Sequence, residues 1–257
     1  SLRHNLPHPP PCPSRPSSYP PGVDVATNLL EIRRRLNAAC DRAGRDPAGV
    51  EFMAVSKTHP PEAVRAVADL GVRLFGESRI QEARLKIPQC PGHLRWHLIG
   101  HLQTNKARDA VQLFEMIQSV DSLRLAEELQ KRAEAAARTV RILLEVNVAG
   151  ESTKFGFSPA QVLADLPALN RLSRLEIHGL MCMAPYAVDP ERVRPVFRRC
   201  RELARECSDL LGAPLTTLSM GMSHDFEVAV EEGSTMVRIG SALFGERPAP
   251  EPAAAEP

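Results

Sequence analysis

The stretch Glu51-Phe52-Met53-Ala54-Val55-Ser56-Lys57-Thr58-His59-Pro60 decides how the chain is read. Phe52 to Val55 are apolar and form a short buried-strand signature, and Pro60-Pro61 opens the helix that follows. A strand feeding a helix through a tight turn begins an α/β fold. In an open dinucleotide-binding sheet that turn would carry Gly-x-Gly-x-x-Gly, whereas here it carries Ser56-Lys57. A lysine at the end of a buried strand is costly unless its amine has a task. Burial lowers a lysine pKa, and a neutral amine is what Schiff-base chemistry with a carbonyl requires. The competing reading is a rim lysine whose stem lies on apolar surface while its amine snorkels to water.

Working outward, a short apolar strand followed by a turn and an amphipathic helix recurs about eight times. The strands are predicted at 51–55, 73–75, 95–99, 115–119, 141–146, 175–180, 215–219 and 236–239. Helices are predicted near 60–70, 78–87, 104–110, 121–137, 158–170, 189–211 and 224–232. A first helix precedes them, capped by Asp24, with Val25, Leu29, Ile32, Leu36 and Cys40 at helical spacing. Ser158-Pro159 and Asp189-Pro190 have the N-cap and N1 signature, and Leu211-Gly212 reads as a helix stop. Alternation of this kind makes the strands parallel, and eight repeats match a closed (β/α)8 barrel of the TIM type in a single domain. The domain is expected at 23–247. Residues 1–22 hold eight prolines and residues 248–257 are rich in Pro, Ala and Glu, so both flanks are expected to be disordered.

The bulk composition excludes several classes of function. With 32 basic and 31 acidic residues, the net charge of +1 makes no electrostatic case for nucleic acid or an anionic membrane surface. No apolar run approaches bilayer length, and the N-terminus lacks the apolar core of a secretory signal. The six cysteines, Cys12, Cys40, Cys90, Cys182, Cys200 and Cys207, form no C-x-x-C pair. Buried reduced thiols in a cytoplasmic protein are expected, rather than a disulfide framework. His97 and His101 are four apart but fall on a strand end and a turn, so no zinc-ligand spacing and no metal site is predicted.

In a barrel the chemistry collects at the C-terminal ends of the strands. Those ends supply Lys57, Gly76-Glu77-Ser78, Gly100-His101, Asn147, the run Met181 to Tyr186, Ser219-Met220-Gly221-Met222-Ser223, and Arg238-Ile239-Gly240-Ser241. In the run from Ser219 to Ser223 a glycine lies between hydroxyl residues just before a helix. Backbone N–H groups, serine hydroxyls and a helix start make a phosphate cradle, and Gly240-Ser241 closes its other side. An ordinary turn of small residues is the competing reading. Arg238 stays charged when buried and needs an acceptor, either a carboxylate such as Glu77 or Asp225, or a pyridine nitrogen. Glu77 itself reads as a salt-bridge partner, and His101 and Asn147 as satisfied polar groups. An aldehyde for Lys57, a phosphate for the cup and a ring nitrogen for Arg238 together describe pyridoxal 5′-phosphate, PLP.

Several stretches carry a family resemblance over about residues 24–247. They are Ala54-Val55-Ser56-Lys57, Phe75-Gly76-Glu77, Trp96-His97-Leu98-Ile99-Gly100-His101-Leu102-Gln103, Gly150-Glu151-Ser152-Thr153-Lys154, Gly179-Leu180-Met181, Ser219-Met220-Gly221-Met222-Ser223, and Val237-Arg238-Ile239-Gly240 with Phe244-Gly245. The sequence resembles the pyridoxal phosphate homeostasis proteins, single-domain relatives of the alanine racemase barrel. The resemblance implies that Lys57 is the Schiff-base lysine, that Gly221, Met222, Ser223 and Gly240 hold the phosphate, and that Arg238 faces the ring nitrogen. Met220 and Ser241 flank these positions and complete the cofactor-binding set with Ser78. Ser78 is a departure, because the family usually carries Asn there, and serine presents a shorter donor near the cofactor.

The expected function is a non-catalytic one: PLP held as a Lys57 aldimine and supplied to apo-enzymes that depend on it. A positive charge at the ring nitrogen weakens the ring as an electron sink, which disfavours broad carbanion chemistry. An amino-acid racemase with a minimal site is the alternative. It would need a second base, and the tyrosine-bearing domain of the racemases is expected to be absent here, leaving Tyr186 as the candidate. A phosphosugar-binding barrel is a third reading, and a monomer is expected.

Overall fold

A computed structural model of the chain describes residues 23–151 and 155–245. The expected flanks at 1–22 and 248–257 lie outside the described residues. Eight parallel strands close in sequence order into a barrel, with β8 paired to β1. They are β1 (Glu51–Val55), β2 (Leu74–Glu77), β3 (Arg95–Leu98), β4 (Met116–Val120), β5 (Val140–Glu145), β6 (Leu175–Met181), β7 (Thr217–Met222) and β8 (Met236–Ile239). Around them lie α1 (Val25–Arg42), α2 (Pro61–Asp69), α3 (Ile80–Lys86), α4 (Ala107–Leu113), α5 (Leu123–Ala135), α6 (Pro159–Leu169), α7 (Arg194–Leu211), α8 (Phe226–Glu231) and α9 (Ser241–Phe244).

The helices form for local reasons. The Asp24 carboxylate accepts the N–H groups of Ala26 and Thr27 at the start of α1. Ser158 caps α6 by accepting the Gln161 N–H, with Pro159 at the first helical position. In α7, Phe197, Cys200, Leu203, Ala204 and Cys207 make a buried stripe, and Gly212 ends the helix at φ 64°. The helix predicted from 189 starts later. Asp189 caps a 3-10 turn over Pro190–Val193, and α7 proper begins at Arg194. Pro195 explains the break, since it has no N–H to carry a continuous helical ladder through that turn.

Most of the core lies between the sheet and the helices, as in other barrels. The barrel interior is lined differently. Its lower part holds two small apolar groups, Met53, Leu74 and Met236, and Met116, Leu143 and Met181. Two residues further along β4, β5 and β8, on the same strand faces, come Gln118, Glu145 and Arg238. A buried polar layer therefore caps the apolar one at the end of the barrel where the predicted site lies.

Strand seven departs from expectation. It was expected to end at Ser219, with the cup in a loop, but β7 runs through Met222. Leu218 and Met220 continue the outward apolar alternation and join the outer core, while Ser219 turns inward. The pairing with β8 slips between Ser219 and Met222, where Gly221 takes φ 95°.

Candidate cofactor site at the barrel mouth

Three neighbouring strand ends, those of β7, β8 and β1, carry the predicted residues other than Ser78, which follows β2. Met53 of β1 lies in register with Arg238 of β8, and β8 pairs with β7. The Lys57 turn, the Arg238 guanidinium, the Gly240-Ser241 turn and the Met222-Ser223 turn thus rise from adjacent strands. His59 stacks on Phe244 at 4.7 Å and ties the Lys57 turn to α9. A Cβ added to Gly240 would come within 3.4 Å of the Val55 carbonyl oxygen, so β8 leaves the barrel close over the end of β1.

The cup is built from backbone donors. The N–H groups of Gly240 and Ala242 both point at the Ser223 hydroxyl oxygen, at 3.3 and 3.2 Å. Converging amides of this kind form an anion-binding concavity, and the Ser223 hydroxyl supplies a further donor. The preceding turn is pinned by Asp225, whose carboxylate accepts the Met222 N–H at 2.7 Å. Burial pushes the Asp225 carboxyl up, while the Met222 bond and Arg238 pull it down. Of the other expected cup residues, Ser241 opens α9 at the surface. Met220 buries its side chain in the outer core, so only its backbone faces the cup region. Ser219 belongs to the interior layer instead.

Arg238 is buried and donates to the Ser219 hydroxyl at 2.8 Å and to the Cys182 carbonyl at 2.9 Å. These replace the carboxylate acceptors considered from sequence. Glu77 is engaged elsewhere, and Asp225 acts on Arg238 through space, as does Glu145. Burial pulls the guanidinium pKa down, and those two carboxyls oppose it; arginine remains charged. The chain of bonds continues inward. Ser219 donates to the Gln118 amide oxygen at 2.6 Å, and the Gln118 amide nitrogen lies 2.9 Å from His97 Nδ1. Burial pushes the His97 imidazole down to about 3, so it is neutral and its Nδ1 accepts.

Glu145, which sequence reading passed over, lies in the same buried polar layer as Arg238. Its carboxyl is buried, and desolvation, reinforced by Asp121, raises its pKa to about 7 against the opposing pull of Arg238. At the edge of the mouth, His101 pairs with Asp121 at 3.0 Å and stacks on Phe155 at 3.7 Å. Asn147 closes its own loop by donating to the Glu151 carbonyl at 2.7 Å. Both behave as the satisfied polar groups expected. Glu77 is the salt-bridge partner predicted, here of Lys86 at 2.7 Å. Ser78 sits where β2 meets β3: a Cβ at Gly100 would be 2.2 Å from the Ser78 carbonyl oxygen, so only glycine allows that approach.

The chain is similar in sequence and fold to known proteins. The sequence model described as alanine racemase, N-terminal domain, matches residues 27–248. The pyridoxal phosphate homeostasis protein of Aquifex aeolicus is 42% identical over 226 residues, spanning 88% of this chain and 99% of its own length. The protein of the same name from Pseudomonas aeruginosa is 40% identical over 226 residues, spanning 87% of this chain and 96% of its own. Among solved structures, PipY of Synechococcus elongatus PCC7942 with PLP bound is 39% identical with a TM-score of 0.76, covering 86% of this chain and all of PipY. A closed barrel of eight parallel strands and relatives matched over almost their whole length lead to one assignment: the chain belongs to the pyridoxal phosphate homeostasis protein family, built on the alanine racemase N-terminal barrel.

Proposed function

We propose that this chain binds pyridoxal 5′-phosphate at the mouth of the barrel, links it covalently to Lys57, and holds it for supply to apo-enzymes without turning it over. The observation that carries the reading is the meeting of three different recognition groups on adjacent strands β7, β8 and β1. The amides of Gly240 and Ala242 with the Ser223 hydroxyl suit a phosphate. The Arg238 guanidinium suits a ring nitrogen that stays unprotonated. Lys57 supplies the primary amine. When bound, the cofactor would supply an aldehyde to which the Lys57 amine could add with loss of water.

The donor set fits the group. The cup residues present N–H and O–H donors, as a phosphate dianion requires, and Arg238 is fixed by Ser219 and Cys182 before any ligand arrives. The PLP-bound PipY structure and the homeostasis proteins support the same reading. Among the described residues no helix is long and apolar enough to cross a membrane. An aldehyde that attacks free amines is better stored than left in solution, which gives sequestration a chemical rationale. Arg238 also argues for holding over catalysis, since a ring nitrogen kept unprotonated drains electrons poorly from a bound substrate.

The test is spectroscopic and covalent. Protein incubated with PLP is expected to show a near-visible band that borohydride abolishes, leaving a pyridoxyl adduct mapped to Lys57. The Lys57→Ala variant is expected to give neither. A colourless, unlabelled wild-type protein refutes the assignment. The loaded protein is expected to exchange no amino-acid α-hydrogen with deuterium above the Lys57→Ala background. Sustained exchange would instead establish the racemase alternative.

A further inference from the structure

A buried lysine lies under the turn that carries the half-buried Lys57. Lys86, at the end of α3, is 4% exposed, and its ammonium has three N–H groups. It has three acceptors: the Ser56 carbonyl at 2.7 Å, Glu77 Oε1 at 2.7 Å and Glu82 Oε1 at 2.6 Å. The Ser56 hydroxyl donates to the same Glu77 oxygen at 2.7 Å. Glu82 Oε1 also accepts the Thr58 N–H, at 2.6 Å.

The chain positions involved are informative. Ser56 and Thr58 are the two neighbours of Lys57. The carbonyl before Lys57 and the amide after it therefore end on one ion pair, four residues apart along α3. Thr58 stands at φ 68°, in the left-handed region, which a β-branched residue avoids unless its surroundings hold it there. A charge-assisted bond from its N–H to a carboxylate is such a restraint. A salt bridge serving stability alone gains little from burial and has no need to converge on this turn.

We propose that Lys86 and Glu82 are positioning residues for Lys57: they fix the peptide on each side of it and so set where its amine stands at the barrel mouth. This deepens the cofactor reading and rests on it. A merely structural role and a positioning role part company in a folded variant. Loss of general stability lowers the melting point and nothing else, whereas loss of positioning frees the turn and slows covalent capture.

The experiment pairs Glu82→Ala with Glu82→Gln. Glu82 is the partly exposed member, and Glu82→Ala leaves the Lys86–Glu77 contact intact. Glu82→Gln keeps an acceptor for the Thr58 N–H. In the cofactor-free protein, hydrogen exchange at the Thr58 amide is expected to speed up about tenfold in Glu82→Ala, the worth of one hydrogen bond. Borohydride-trapped PLP on Lys57 is expected to accumulate about tenfold more slowly at saturating PLP, because the amine is misplaced rather than the phosphate lost. Glu82→Gln is expected to restore most of both, with circular dichroism unchanged throughout. Lys86→Met is expected to follow Glu82→Ala; if it fails to fold, the Glu82 pair decides alone. Thr58 exchange and Lys57 trapping in Glu82→Ala within about twofold of wild type would overturn the proposal. A wild-type protein that forms no Lys57 adduct would overturn the cofactor reading, and unchanged Thr58 exchange in Glu82→Ala would then separately overturn the positioning role of Glu82 and Lys86.

Discussion

Replacing Glu145 by glutamine separates two forces that meet at this carboxyl. Burial and Asp121 push its pKa up, and the Arg238 guanidinium pulls it down; the balance lies at about 7, against an ordinary 4.5. Between those two values the folded protein holds a proton that the unfolded chain has released. Stability therefore falls as pH rises through that window, and the cost is complete once the folded group has ionised. Two and a half pH units at about 1.4 kcal/mol each make that cost on the order of 3 kcal/mol near pH 8. Glutamine keeps the shape and never ionises. Glu145→Gln should match the wild type near pH 4, where the carboxyl is protonated in both the folded and the unfolded chain, and exceed it by about 3 kcal/mol near pH 8. For a domain of this size the gain corresponds to roughly 6–12 °C in melting temperature. Calorimetric melts of both cofactor-free proteins across that range are the assay. Parallel curves, or a glutamine variant less stable at every pH, would show that Arg238 fully compensates the charge and that desolvation does not govern the site.

Two further predictions concern the same end of the barrel. Gly221→Ala places a Cβ 2.6 Å from the Ala229 Cβ and 2.9 Å from the Phe226 Cα at a backbone φ of 95°. The variant should lose roughly 2–4 kcal/mol in denaturant melts; a loss under about 0.5 kcal/mol would mean that the β7 irregularity relaxes freely. His97, pushed down to about 3 by burial, should show ring chemical shifts that stay flat between about pH 5 and pH 8. An inflection near its ordinary 6.5 would contradict the buried hydrogen bond to Gln118.

The architecture was legible because the alternation of strand and helix is a local property. The run 51–55 coincides with β1, and the N-caps at Asp24 and Ser158 and the stop at Gly212 appear where side-chain chemistry placed them. The position of Lys57 was legible for the same reason, as a cation just past the end of an apolar run. The end of β7 was misread because Ser219, Gly221 and Ser223 have the composition of a turn. The outward Met220 that continues the strand registers only once a packed outer shell exists.

The polar layer was hidden for a different reason, which bears on how the site works. Strands of a closed barrel are buried on both faces, so the apolar-polar alternation that reveals an inner face elsewhere is lost. In Met116-Ile117-Gln118-Ser119-Val120 every residue is buried, and nothing local shows that Gln118 bridges Ser219 and His97. Glu82 and Lys86, four apart on a short helix, likewise have the spacing of a surface ion pair. Only closure of β1 onto β2 puts Ser56 and Glu77 against that lysine. The candidate cofactor residues sit at strand ends and are visible one at a time. Residues that aim them act through long-range contacts, such as Ser219 with Gln118 across 101 positions, and become visible only with the fold. Arg238 shows the consequence: its charge follows from its identity alone, but its direction follows from Ser219 and Cys182, which the barrel brings to it from β7 and from the end of β6.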